Sequence, residues 1–381
     1  MRVVYLSRRY PPSIGGMQRL SRELHLALQA RVPTRAVCWA GSQRLLPLVA
    51  PLAALRAATW LLCWPDGPAR ERPGRGDEVL LAGDAVLAPI ALALGRALGC
   101  PVAAIAHGLD FLYPSPLLQA VVPAALRRLD LAIAISAHVR DRLLAGGLEP
   151  SRCLAIPPAV EPDPLPTRAA ARARLSRRLG LDLGERPLLT RVDRLVARKG
   201  VAWFVRECMP GVLAARPDAL LVVGGAGPEL AAIEAAAAAL PAGSAFLLGQ
   251  VDDPTRADLY AGADLFVMPN RPRAGDAEGF GLAAAQAAWA GLPVVATALE
   301  GIAEAVVEGL TGRLVRPDDP AAFADAVIRL LDDPAERARL AAAARVEAAS
   351  RFSWAAVGDR YAEALAGLVD PDRPLHAKAR G

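Results

Sequence analysis

The stretch "DAEGFGLAAAQAAWAGLPVVAT", Asp276 to Thr297, sets a carboxylate, Glu278, beside a Gly-Phe-Gly loop. An Ala-rich apolar run follows, then a Gly-Leu-Pro turn and a short β-branched run. Loop, helix, turn and buried strand make one repeat of a parallel sheet, because a strand covered on both faces reads as an unbroken apolar run. The rest of the chain repeats that unit. "RVVYLS", "TRAVCWA", "EVLLAG", "PVAAIAH", "LAIAIS" and "RCLAIP" come before a Pro-rich seam, and "PLLTRV", "ALLVVGG", "AFLLGQ", "DLFVMP", "LPVVAT" and "TGRLVRP" come after it. Helix-like segments such as "MQRLSRELHLALQA" lie between the runs, and this rhythm predicts an α/β fold of two doubly wound parallel sheets.

The seam is "IPPAVEPDPLPT", Ile156 to Thr167, stiff with proline. It predicts one domain over residues 1–163 and a second over 164–350; a final amphipathic helix is expected within 351–370 and a frayed tail over 371–381. A length of 381 residues suits two cores of roughly 150–200 residues each. Hydrophobic content of 54% with only 5% aromatics puts Ala and Leu in those cores, as helices packed on sheets allow.

A net charge of +5, carried mostly by Arg, suits phosphate-bearing ligands or an anionic membrane surface and is too small to argue for nucleic acid. The five cysteines, Cys38, Cys63, Cys100, Cys153 and Cys208, form no Cys-x-x-Cys pair and read as reduced thiols of a cytoplasmic protein. The run Leu45 to Trp64 is interrupted by Pro47, Pro51 and Arg56 and reads as a core or interfacial helix rather than a membrane span. Arg70, Arg72 and Arg75 follow it, offset in part by Glu71 and Asp77, and read either as a solvated loop of mixed charge or as a reversible peripheral contact with anionic lipid.

Five loops carry chemistry. Gly15 and Gly16 follow the first strand, where backbone N–H groups and a helix N-terminus can approach an anion. His107 ends the strand "PVAAIAH" and can bond a hydroxyl or assist a proton. Arg194 and Lys199, in "RLVARKG", can hold a diphosphate as fork and point charge, while Arg191 and Arg198 read as structural or solvated. "VVGGAGPEL" lacks the third glycine of a dinucleotide fingerprint, since Leu230 stands there, so a nicotinamide cofactor is rejected and a tight turn near the ligand is read instead. Amides around Phe280, Gly281 and Leu282 start a helix and can cradle phosphate; Glu278 then suits neutral sugar hydroxyls, against the plainer alternative of an ion pair with Arg271 or Arg273.

Together, "SIGGMQRL", "AHGLDF", "ISAHVRDRL", "IPPAVEPD", "RLVARKG", "VVGGAGPE", "LGQVDDPTRADLYAGADLFVMPN", "EGFGLAAAQAAWAGLPVVAT", "EGLTGRLVRPDDP" and "FSW" resemble, in order and over almost the whole chain, a GT-B glycosyltransferase of the retaining family 4. The resemblance is strongest to transferases of nucleotide-diphosphate hexoses, including the mannosyltransferases of cell-envelope and lipid assembly. It implies two Rossmann-like domains facing a cleft, the last helix packing back on the first domain, and a nucleotide-diphosphate sugar as co-substrate with no bound metal. It also implies roles. The Gly15–Gly16 loop meets donor diphosphate and acceptor, and His107 meets the transferred sugar. Arg194, Lys199 and the amides at Gly281 and Leu282 hold the diphosphate. Glu278 holds sugar hydroxyls, Gln286 the ribose, and the base lies against Gln250 and Val251.

This sequence departs from the family pattern at three places: Gln286 replaces the second acid, Pro158–Ala159 replaces Asn-Gly, and Asp193 replaces a glycine and is expected to neutralise part of Arg194. The reading is a hexosyltransferase acting on a lipid- or glycan-linked acceptor. Its rivals are a nucleotide-sugar epimerase of the same architecture, which would release no free nucleoside diphosphate in response to an acceptor, and a nucleotide-sugar-binding relative without turnover.

Overall fold

The computed structural model describes residues 1–13, 16–39, 41, 55–60, 77–108, 116–160 and 164–370. Its backbone divides into two units, Met1–Ala159 with Trp354–Gly381, and Val160–Ser353.

In the first unit the strands are β1 (Arg2–Ser7), β2 (Thr34–Cys38), β3 (Glu78–Ala82), β4 (Val102–Ala106), β5 (Leu131–Ala134) and β6 (Cys153–Ala155). They form one parallel sheet in the order β2-β1-β3-β4-β5-β6. Strands β4 and β5 are buried at every residue, which is why "VAAIA" and "LAIA" carry no polar alternation. The chain winds outward from β1 in both directions, so the topological switch point lies between β1 and β3, where ligands of open α/β sheets gather.

The second unit repeats the plan with β7 (Leu188–Val192), β8 (Leu220–Gly224), β9 (Ala245–Leu247), β10 (Leu265–Met268), β11 (Val294–Thr297) and β12 (Gly312–Val315), all parallel, in the order β12-β11-β10-β7-β8-β9. Its switch point lies between β7 and β10. Leu189, Leu221, Val223, Leu265, Val267 and Val295 from the sheet pack with Phe204, Val212, Phe323 and Val327 from the covering helices as one apolar core.

The end of the chain differs from the expected single helix. One helix runs Pro334–Phe352 and a second Trp354–Ala366, with Ser353 extended between them. The break is a packing decision: Phe352 seats edge-on against Phe280 in the second unit, ring centroids 5.3 Å apart. Beyond it, Val357, Tyr361, Ala364 and Leu365 form the buried face of the last helix in the first unit, where Arg31 binds Asp359 at 2.6 Å. Arg351 therefore belongs to the preceding helix.

Candidate functional site

Two loops build the site of the second unit, one leaving β7 and one leaving β10 on either side of the switch point. They are pinned together where Gly200 passes β10: a Cβ there would stand 1.8 Å from the carbonyl oxygen of Pro269, so only glycine, at φ 66°, permits the approach. The N–H of Arg271 then donates to the carbonyl of Arg198 at 2.9 Å. A similar contact explains "GGAG". A Cβ at Gly225 would stand 1.9 Å from the carbonyl oxygen of Asp193, and one at Gly227 would stand 2.2 Å from that of Leu195. These glycines therefore make room for the β7 loop, a more immediate reason than closeness to a ligand.

The pinning brings together side chains far apart in sequence. Lys199 Nζ lies 2.6 Å from Glu278 Oε2 and 2.7 Å from Asp193 Oδ2. Arg198 donates to the same Glu278 oxygen and, through Nε, to Asp276 Oδ1 at 2.9 Å. Asn270 Nδ2 adds a third side-chain donor to Glu278 Oε2 at 3.0 Å. All three converge on one oxygen; Oε1 of Glu278 accepts from no protein group among the described residues. The backbone N–H of Glu278 is itself tied to the Glu300 carboxylate.

Burial alone would push both carboxyls up. The charges of Lys199 and Arg191 outweigh it at Asp193, those of Lys199 and Arg198 outweigh it at Glu278, and both stay below the usual carboxylate range.

This geometry decides three open readings and corrects one expectation, that Asp193 neutralises Arg194. Arg198 is buried and holds Glu278, so it is not a solvated charge. Arg191 is not solvated either: it is fully buried, its guanidinium reaching Asp193 Oδ2 at 2.6 Å and lying 5.3 Å from the centre of the Phe266 ring. Asp193 neutralises Lys199 and Arg191 rather than Arg194, from which it takes only the backbone N–H, at 2.8 Å. Glu278 pairs with Arg198 and Lys199 rather than with Arg271 or Arg273; Arg271 pairs with Asp318 at 2.6 Å. Arg194 is exposed, and its guanidinium has no partner among the described residues.

The remaining predicted residues fall around this centre. Gly281, at φ 92°, caps the helix Leu282–Trp289, and the N–H groups of Gly281 and Leu282 donate to no protein acceptor among the described residues. Phe280 is a buried core side chain, so any part it plays toward an anion is through its backbone. Gln286 lies one helical turn further on, and its Oε1 accepts from Tyr260 Oη at 3.3 Å, leaving its amide N–H groups to donate outward. Gln250 is exposed after β9; Val251 packs on Gly224, with 3.1 Å to the position of an added Cβ.

In the first unit, Gly16 opens the helix Gly16–Gln29 with nothing within 4 Å of an added Cβ. Gly15, Arg70, Arg72, Arg75 and the tail lie outside the described residues, as does most of Leu45 to Trp64, of which only a helical piece over 55–60 is described. His107 follows β4, with Nε2 3.0 Å from the carbonyl oxygen of Gly83. A carbonyl only accepts, so in the neutral ring the proton sits on Nε2 and Nδ1 is the acceptor. A cavity of about 20 Å³, room for one water, lies beneath it between Tyr5, Ser21, Ile105 and Tyr361. Burial pushes the thiol of Cys208 up to about 12 and that of Cys153 to about 11, so neither offers a thiolate at neutral pH.

Asn270, Arg198, Asp276, Glu300 and Tyr260 were missed as site residues. Asn270 had a usable signal, a polar side chain directly after the strand "DLFVMP" and eight residues before Glu278. Arg198 and Asp276 stood beside Lys199 and Glu278 in the same stretches with nothing to single them out, and Glu300 and Tyr260 are made neighbours only by the fold.

Comparison with known proteins bears on the family and the fold. Residues 186–333 match the family described as Glycosyl transferases group 1. The chain is 36% identical over 256 residues to a GDP-mannose-dependent alpha-(1-6)-phosphatidylinositol monomannoside mannosyltransferase of Mycolicibacterium smegmatis, covering 65% of this chain and 66% of the relative. It is 37% identical over 241 residues to a D-inositol 3-phosphate glycosyltransferase of Xylanimonas cellulosilytica, covering 60% of this chain and 55% of the relative. The chain thus aligns with just under two thirds of the first relative and about half of the second.

Among solved structures, a glycosyltransferase from Rickettsia africae superposes with a TM-score of 0.73 at 15% identity, covering 97% of this chain and 99% of that one. Anabaena HepE in complex with UDP and glucose superposes with a TM-score of 0.70 at 18% identity, covering 96% and 99%. At these identities the superpositions establish the fold, which is that of the GT-B glycosyltransferases.

Proposed function

We propose that this chain, whose residues 186–333 belong to the group 1 glycosyltransferases, transfers a hexose from a nucleotide-diphosphate sugar to a lipid- or glycan-linked acceptor with retention of anomeric configuration. One observation carries the reading. At the switch point between β7 and β10 an exposed Arg194 guanidinium, the Lys199 ammonium, the open amides of Gly281 and Leu282, and the uncommitted Oε1 of Glu278 lie on two loops pinned together. Cations and amides suit a diphosphate, and the Oε1 of a carboxylate whose other oxygen takes three donors suits a sugar hydroxyl.

The chemistry follows from those groups. Arg194 and Lys199 stabilise the charge that grows on the leaving diphosphate, helped by the amides at Gly281 and Leu282. The leaving phosphate takes the acceptor proton. Glu278 orients the hexose, Gln286 donates to the ribose, and His107 bonds the transferred sugar. The Gly15–Gly16 loop meets the donor diphosphate and the acceptor, and the base lies against Gln250 and Val251. GDP-mannose is the donor to try first, and a phosphatidylinositol-type lipid the acceptor, because the Mycolicibacterium smegmatis relative is named for them.

A lipid acceptor calls for contact with the membrane surface. No helix among the described residues is long and apolar enough to cross a bilayer. The helix Pro116–Leu126 exposes Leu117 (71%) and Val121 (39%) one turn apart, with Arg127 and Arg128 exposed just past its end, a pairing of apolar and basic groups that suits the headgroup layer.

The test is release of GDP from GDP-mannose by the purified protein, with and without phosphatidylinositol mannoside vesicles, followed by the anomeric configuration of the product. Acceptor-dependent release with an α-linked product is expected. Isomerised nucleotide sugar without GDP, or binding without turnover, would contradict the reading.

A further inference from the structure

We infer that Asp193 is a built-in counter-anion of the diphosphate site: its carboxylate occupies the side of Lys199 that a donor phosphate would take, so it weakens nucleoside-diphosphate binding and favours release. The inference rests on the diphosphate site proposed above. Lys199 is 5% exposed, and two of its three N–H donors are already committed, one to Asp193 Oδ2 at 2.7 Å and one to Glu278 Oε2 at 2.6 Å. A phosphate oxygen reaching this ammonium meets both carboxylates as competitors. Glu278 is anchored separately by Arg198 and Asn270, whereas Asp193 belongs to the very loop that supplies Arg194 and Lys199.

Arg191 gives Asp193 somewhere to rest when Lys199 is engaged. It lies on β7, in a strand whose first four residues are buried, with its Nη2 2.6 Å from the same Oδ2 and its Nε buried without a hydrogen-bond partner among the described residues. A buried ion pair of this kind is about neutral for stability against apolar side chains of similar volume, so folding alone gives little reason for a guanidinium inside this strand. As a standing partner it keeps Asp193 ionised while the ammonium turns to phosphate. Around the site Arg191, Arg194, Arg198 and Lys199 face Asp193, Asp276, Glu278 and Glu300, four cations against four carboxylates, so losing the Asp193 charge leaves the site with a net positive charge.

The experiment is calorimetric titration of the full chain with GDP. Asp193→Asn removes the charge and keeps one oxygen, which can accept either from Lys199 or from the Arg194 N–H, and GDP should bind roughly tenfold more tightly, about 1.4 kcal/mol. Should Arg191 without its counter-charge prevent folding, the double variant Arg191→Met with Asp193→Asn decides, and it should also bind GDP more tightly than the natural protein. Glu336→Gln, which removes a carboxylate beside the edge strand β12, should leave the affinity within about twofold, a control for net charge. Binding by the natural protein with equal or weaker binding by the folded Asp193 variants overturns this inference alone. Absence of GDP binding in all of them overturns it together with the diphosphate site.

Discussion

The two switch points share a topology and use charge in opposite ways. At the first, between β1 and β3, Arg8 and Asp84 form a pair whose side chains are 2% and 6% exposed, and nearby the small cavity under His107 is walled mainly by apolar side chains. At the second, between β7 and β10, a network of cations and carboxylates ends in groups that remain available, the Arg194 guanidinium and Glu278 Oε1. The fold alone does not decide what a switch point binds. The first offers mainly apolar walls beside one closed ion pair, and the second offers cations and a carboxylate oxygen, which is why the diphosphate is proposed for the second.

Breaking the buried pairs should give the largest effects. Lys199→Ala leaves the Asp193 and Glu278 carboxylates without their shared cation and should cost about 3–5 kcal/mol of stability, read by urea unfolding, as well as activity. Asp84→Ala should cost a similar amount in the first unit yet leave donor affinity unchanged in the folded protein; a large loss of donor affinity there would blur the contrast between the units. Arg194→Ala comes next. It should lose about 2–4 kcal/mol of transition-state stabilisation, measured as kcat/KM, while stability stays within about 0.5 kcal/mol because the side chain is exposed and unpaired.

Gln286 gives a smaller effect. Gln286→Leu should weaken donor binding by about 1–3 kcal/mol, because ribose hydroxyls lose their partner, while Gln286→Glu, still able to accept from Tyr260, should change it by less than about 1.5 kcal/mol. Equal affinity for the natural protein and Gln286→Leu would remove position 286 from the ribose site.

The mildest test is acid. Folding holds the Asp193 and Glu278 carboxyls below the usual range, so the stability they contribute is present above the ordinary carboxyl pKa of about 4 and is lost as pH falls through the lower folded values. Lys199→Ala removes the leading favourable charge at both groups, so its acid unfolding should begin at a higher pH than that of the natural protein.

Much of the architecture was legible because parallel strands buried on both faces must be apolar. All twelve apolar runs became strands, and the repeated rhythm gave two sheets. The last helix was misread because the residue that ends its predecessor, Ser353, is unremarkable in sequence; the break comes from Phe352 seating on Phe280, a long-range contact. In the site, loops after strand ends marked Arg194, Lys199 and Glu278 correctly as members of loops. That Lys199 and Glu278 bond each other across 79 residues depends on Gly200 passing Pro269, which no local pattern reveals. Arg191 was legible only as structural or solvated, and the fold decides for the first by turning it inward to Asp193.

The most direct test of the account is the affinity of the natural protein and of Arg194→Ala for GDP-mannose, by calorimetry at low and at physiological salt. The account predicts binding by the natural protein that weakens as salt rises, and binding at least about tenfold weaker, with a shallower salt dependence, in Arg194→Ala at unchanged melting temperature. Equal affinity and equal salt dependence in the two proteins would contradict the claim that the switch point of the second unit is where this chain holds a diphosphate.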